Sequence, residues 1–136
     1  MKKPKEGDLV RAILKYLRMD GILCWRNQSG AMFGSHKGKP WAVRMGTPGV
    51  PDIVALLPGG MPWFIECKLP GKSQNVDQIW FAECCAVLGY FYSVETNLAD
   101  VITAVETAKA QAGSAWRRCP EPPIRVKKPR RPKVTP

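Results

Sequence analysis

The sequence predicts one mixed domain of α/β or α+β class, followed by a basic tail. Three observations lead there. Two short apolar runs, Asp52-Ile53-Val54-Ala55-Leu56-Leu57 and Trp63-Phe64-Ile65-Glu66-Cys67-Lys68, flank Pro58-Gly59-Gly60-Met61-Pro62 and read as a strand hairpin. Stretches with helical periodicity lie on both sides of that hairpin. From about Gly113 onward the composition shifts to Pro, Lys and Arg, which cannot bury apolar area. Residues 1–112 are therefore expected to form the domain, and 113–136 a disordered, flexible tail.

The elements follow in order. Leu9, Ala12, Ile13, Tyr16 and Leu17 recur at helical spacing and predict a helix over 8–19, which Gly21 ends. Ile22-Leu23-Cys24-Trp25 reads as a strand. Gly30, Gly34, Gly38 and Gly46 punctuate residues 26–47, which read as a mobile basic loop with room for a short strand at 41–45. After the hairpin, Val76, Ile79, Trp80, Cys84, Val87 and Leu88 form one apolar stripe of a helix over 76–88, with Asn75 as N-cap and Gly89 as stop. Tyr90 to Val94 is a short strand, and Asn97 caps a last helix to about Gln111. There are no internal repeats.

Charge narrows the function. The 136-residue chain carries 21 Lys and Arg against 11 Asp and Glu, a formal +10, which points to a polyanionic partner such as nucleic acid. Five cysteines occur, Cys24, Cys67, Cys84, Cys85 and Cys119, with no C-x-x-C pair and one histidine, so no structural zinc set is offered. No stretch is long and apolar enough to span a membrane, and the start does not read as a secretory signal. The expectation is free thiols in a reducing, cytoplasmic compartment.

The chemistry lies in the hairpin. Glu66 and Lys68 interrupt an apolar run, and their spacing of two puts both on one face of the strand. Folding the hairpin about Gly59-Gly60 sets Asp52 opposite Cys67, beside Glu66 and Lys68. Two adjacent carboxylates repel, and a divalent cation removes the conflict. Oxygen ligands at an open site suit Mg²⁺ or Mn²⁺, which would activate water and neutralise charge on a phosphodiester. Lys68 would orient the water or stabilise the transition state.

Pro51-Asp52 followed by Glu66-Cys67-Lys68 resembles the PD-(D/E)-x-K nuclease superfamily and, more narrowly, the viral-type replication-repair nuclease family, VRR-NUC. Gly46-Thr47-Pro48-Gly49-Val50-Pro51-Asp52 is similar to that family's Gly-x-Pro-Asp entry to the second strand. Gln78 matches the glutamine that opens the next helix, Glu6 the acidic residue that begins the first helix, and Arg26-Asn27 with Gly30 its basic-polar segment. The resemblance implies a restriction-endonuclease-like α/β fold, a mixed central sheet flanked by helices. It implies that Asp52 and Glu66 bind the metal with the Cys67 carbonyl, that Lys68 is the catalytic lysine, that Glu6 assists through water, and that Gln78 contacts the site. The implied protein is a homodimer that cuts branched DNA such as Holliday junctions, in a bacterial or phage-infected cell. Arg26, Asn27, His36, Lys37, Lys39, Arg44 and Lys72 are the expected DNA contacts, with no membrane partner.

Other readings stand beside these. A flap or nicking nuclease of phage replication or repair, an RNA-processing protein, and a non-catalytic DNA-binding protein of the same fold would share most of these residues. If Asn75 is an N-cap, Gln78 is also the N3 residue of a capping box, and the two roles are compatible. Gln74, near the same helix start, competes for the glutamine role. The Cys67 thiol reads as packed, and Trp80 and Phe81 as core or dimer contacts.

Overall fold

The computed structural model describes residues 2–28 and 30–126. Helix α1 (Glu6–Met19) buries Val10, Ile13, Leu14 and Leu17, the i, i+3, i+4, i+7 stripe of an amphipathic helix. Strand β1 (Leu23–Arg26) leads into β2 (Gly30–His36) and β3 (Lys39–Met45). Then come β4 (Ile53–Leu57), β5 (Met61–Cys67), α2 (Val76–Leu88), β6 (Phe91–Glu95), α3 (Leu98–Ala112) and a 3-10 turn at Gly113–Ala115.

Four strands form one mixed sheet in the order β1-β4-β5-β6. The first two pairings are antiparallel and β5–β6 is parallel, because α2 crosses over between β5 and β6. Strand alternation divides β5 between two layers. Trp63, Ile65 and Cys67 are fully buried with α1, Val101 and Val105 of α3, and Ile53 and Ala55 of β4. Phe64 and Glu66 turn the other way, toward α2, where the Phe64 ring meets Phe81 edge-on at 5.5 Å. Among the described residues no helix is long and apolar enough to cross a membrane.

Three expectations are corrected. The short strand expected at 41–45 is part of β3, but the rest of the expected loop is not one: β2 pairs with β3 in a separate two-stranded ribbon, from Gly30↔Met45 to His36↔Lys39. Its turn is the two residues Lys37 and Gly38, both at positive φ (50° and 74°), the conformation that suits a two-residue hairpin. The β4–β5 register is one residue from the expected one, with Ile53 opposite Ile65. The reason is loop length: Leu57 pairs with Met61 across three residues, Pro58 to Gly60, instead of across Gly59-Gly60 alone. Finally, the apolar stripe of α2 faces outward. The inner face is Gln78, Phe81, Ala82 and Cys85, while Val76, Ile79, Trp80, Val87 and Leu88 are exposed.

The chain remains docked beyond Gly113, where the tail was expected to start. Arg118 Nη2 donates to Met19 O at 2.9 Å, and Cys119 N–H donates to Gly21 O at 2.8 Å, so the segment caps the end of α1. Residues 127–136 of the expected tail lie outside the described residues.

The loop before β4 is locked to α2 by Gly49. Its φ is +81°, and a Cβ there would stand 2.1 Å from the Asp77 carbonyl oxygen. Gly59 has φ +91° but open space around it. Gly59→Ala should therefore cost only the backbone penalty, about 1–2 kcal/mol. Gly49→Ala must also displace the start of α2 and should cost about 3 kcal/mol or more. Thermal melting should rank wild type above Gly59→Ala above Gly49→Ala; equal melting of the two variants would remove the close approach.

Candidate active site

Asp52 lies one residue before β4, at a bend, and is held from three sides. Asn27 N–H donates to Asp52 O at 2.8 Å, and Asn27 Nδ2 donates to Pro51 O at 3.0 Å. Asn27 Oδ1 in turn accepts from Trp25 Nε1 at 3.2 Å. The Asp52 carboxylate turns along the sheet edge, and its Oδ2 accepts the Cys67 N–H at 2.8 Å. That bond brings Asp52 to the Glu66-Cys67-Lys68 segment although the register is shifted. A strand residue directs its N–H and C=O toward the same neighbour, so the Cys67 carbonyl also faces this edge.

Glu66 is buried, only 3% exposed. Its Oε1 accepts from Gln78 Nε2 at 2.7 Å and lies 3.7 Å from Lys68 Nζ. Gln78 has two tasks at once. Its Oε1 accepts the Asn75 N–H at 2.9 Å, while Asn75 Oδ1 accepts the Gln78 N–H at 2.9 Å, a complete capping box. The cap fixes which end of the amide is oxygen, which leaves its NH₂ for Glu66. Gln74 goes elsewhere: its Nε2 donates to Tyr92 Oη at 2.8 Å.

The electrostatics are those of a crowded acidic pocket. Burial, then the Asp52 charge, push the Glu66 carboxyl from an ordinary value of 4.5 up to about 7, against the pull of Lys68. Glu6, the first residue of α1, adds a smaller push in the same direction. Burial also raises the Cys67 thiol, with Asp52 and Glu66 adding to it. That thiol stays protonated and is no nucleophile. Tyr92, on the strand beside Phe64, is pushed up to about 12 by burial and by Glu66. It is a site neighbour that sequence reading missed; the alternation of β6 carries the signal, since Tyr92 and Val94 pair with Phe64 and Glu66.

The donor set fits a hard cation. Glu66 Oε2 is buried without a hydrogen-bond partner, and Asp52 lies beside it. Among the described residues no three His, Cys, Asp or Glu side chains form a ligand cluster. A cation here would therefore use two carboxylates and complete its shell with backbone oxygen and water, as Mg²⁺ and Mn²⁺ commonly do.

The remaining candidates lie around this centre. A cleft of about 260 Å³ reaches from Asp52 along Arg26, Asn27 and Gln28 to Gly30, Ala31 and Met32 at the root of the β2–β3 ribbon. Arg26 thus shares a cleft with Asp52, whereas Asn27 spends its side chain on Pro51 and Trp25. His36, Lys37 and Lys39 are exposed at the ribbon's tip, and Arg44 is exposed opposite Ala31. Lys72 is exposed on the turn between β5 and α2, where its N–H donates to Leu69 O at 3.0 Å.

A raised carboxyl makes a pH prediction. In metal-free protein Glu66 holds its proton between pH 4.5 and about 7, where the unfolded chain has released it. Its stabilising contribution is complete below that window and is lost as pH rises through it. Glu66→Gln keeps the shape and cannot ionise. In EDTA, wild type should lose melting temperature relative to Glu66→Gln between pH 5 and pH 8. Two parallel profiles would contradict the buried carboxyl.

Comparison with known proteins agrees with this geometry at the level of fold. No family model matches the chain, and no curated protein does. A solved structure described as a VRR_NUC domain is similar, with a TM-score of 0.55 and 22% identity, over 76% of this chain and 97% of that one. The mixed sheet, its flanking helices and that likeness together show that the chain has the VRR_NUC-domain fold, a restriction-endonuclease-like α/β architecture.

Proposed function

We propose that this protein is a Mg²⁺- or Mn²⁺-dependent DNA endonuclease that hydrolyses phosphodiester bonds, selective for branched DNA and active as a homodimer. The observation that carries the reading is the convergence of Asp52, Glu66 and Lys68, with the buried Glu66 Oε2 left without a partner. Beside this acidic centre lies a cleft bordered by Arg26, on a chain of net charge +10. Such a surface attracts DNA, and such a centre needs a cation before a phosphate can approach.

Each residue has a task in this reading. Asp52, Glu66 and the Cys67 carbonyl would hold the cation. A bound dication supplies neutralisation of the charge that develops on the phosphodiester and a lowered pKa for water. Gln78 keeps Glu66 oriented, and Asn27 keeps the Pro51–Asp52 backbone in position. Lys68, its side chain 13% exposed, offers its ammonium protons to a phosphate oxygen or to the attacking water. Glu6 would act at longer range, through water.

The homodimer rests on α2. Val76, Trp80 and Val87 are 82%, 52% and 86% exposed along one stripe, and the helix carries no Lys or Arg. On so basic a chain this is the face least suited to DNA and least repelled by a second copy. A two-fold dimer would offer one centre to each of two symmetry-related strands, as a four-way junction requires.

Three experiments test the reading. With Mn²⁺ or Mg²⁺, wild type should cut a strand-labelled four-way junction symmetrically and leave plain duplex largely whole. Glu66→Ala should abolish cutting and keep most of the DNA affinity, and Lys68→Ala should slow cutting about 10²–10³-fold. Millimolar Mn²⁺ should raise the melting temperature of wild type but not of Asp52→Ala. Binding without any cutting would favour the non-catalytic alternative. For the dimer, light scattering should give twice the chain mass for wild type and the single mass for Trp80→Glu; a monomeric wild type would remove it.

A further inference from the structure

The β2–β3 ribbon exposes several large apolar side chains, Met32, Phe33, Trp41 and Val43, and Phe33 is the most exposed of these four. Phe33 is 79% exposed, in the middle of β2. Strand alternation gives Phe33 small nearest neighbours, Ala31 and Ser35 on its own strand and Ala42 directly opposite, with Arg44 and Pro40 diagonal to it, and the ring stays exposed among them. The other face of the ribbon is built differently. There Trp41 lies over Gly34, so closely that a Cβ on Gly34 would stand 2.3 Å from the indole. Trp41 holds the two strands together, and Phe33 does nothing comparable for the fold.

The surroundings of Phe33 have a definite chemistry. His36, Lys37 and Lys39 are exposed beyond it at the tip, and Arg44 is exposed before it, opposite Ala31. On Phe33's own face the cation is Arg44, diagonal to it across the ladder, while His36 and Lys39 pair on the opposite face and Lys37 sits in the turn; an exposed ring beside a guanidinium suits a nucleobase and its phosphate. Ala31, two residues before Phe33 on the same face, lines the cleft that ends at Asp52. At a strand rise of about 3.4 Å per residue, the ring stands about 7 Å beyond that cleft wall.

We propose that Phe33 is a wedge that stacks on an unpaired or unstacked base at a DNA branch point, and so selects branched over continuous duplex DNA. The proposal rests on the nuclease reading for its substrate, and it assigns the branch selectivity to one side chain. In a continuous duplex every base is already stacked, and inserting the ring would cost unstacking energy. At a branch that cost is largely met by the DNA itself, so the same ring gains a partner.

The test uses the full chain in EDTA, so that binding is read without cutting. The probes are a four-way junction and a duplex of equal length, each with 2-aminopurine at the same position next to the branch point. Wild type should raise the 2-aminopurine fluorescence of the junction as the base leaves its neighbours, and bind the junction more tightly than the duplex. Phe33→Ala should weaken junction binding by about tenfold, abolish the fluorescence rise and keep duplex affinity within about twofold. Phe33→Trp should restore both junction signals. Junction affinity and fluorescence unchanged in Phe33→Ala, while wild type still cuts the junction with Mn²⁺, would overturn the wedge and leave the nuclease standing. A wild type that neither binds nor cuts DNA would overturn both. Melting curves of the variants should overlay that of wild type, since the residue is 79% exposed and outside the core.

Discussion

A single amide side chain ties the first turn of α2 to the acidic centre. Gln78 closes the capping box with its oxygen and gives its NH₂ to Glu66, so the start of the helix and the orientation of a buried carboxylate are one constraint. The same turn receives Gly49, whose backbone lies against the Asp77 carbonyl. The loop that delivers Asp52 and the strand that delivers Glu66 are therefore both referenced to one helical turn. Among the described residues neither carboxylate is held by a long-range ion pair; the Cys67 N–H holds Asp52 and the capping glutamine holds Glu66.

Electrostatics divides the molecule in a consistent way. The chain is strongly basic, yet its acidic groups converge where burial makes them costly. Glu66 is buried with one oxygen unsatisfied, Asp52 is beside it, and Lys68 compensates only in part. A pocket arranged like this is costly by itself, and a dication would offset the cost. Apart from Lys68 at the centre and Arg26 in the cleft beside Asp52, the basic residues of the ribbon, Lys37, Lys39 and Arg44, stand away from it.

What could be read from the sequence was local. Asn75 and Gly89 bound α2, Asn97 caps α3, and the spacing of Glu66 and Lys68 put both on one face of β5, because caps and two-residue periodicity depend on neighbours only. Three features were not legible for physical reasons. The register of β4 and β5 turns on whether the loop has two residues or three, and Pro58 supplies the third. The β2–β3 ribbon buries no core, so it lacks the apolar alternation that marks a strand, and its glycines read as loop. In α2 both faces are rich in apolar residues, and periodicity finds the larger stripe without saying which side the sheet is on. The inner stripe is the one with Gln78, Phe81 and Cys85, where Phe81 packs on Phe64 and Tyr92 and Gln78 reaches Glu66. Tyr92 escaped because a parallel neighbour comes from a distant segment.

The outward stripe of α2 gains a second meaning from this arrangement. Val76 and Trp80 lie within one turn of Gln78, on the opposite side of the same helix. Were a second copy to cover that stripe, it would bury apolar surface and also fix the rotation of the helix whose inner face orients Glu66. The free energy of subunit contact would then serve to hold the carboxylate still, so that assembly and site geometry are stabilised by the same helix. The physical requirement is only that α2 move as a rigid body, which its closed N-terminal box and its left-handed Gly89 stop both favour.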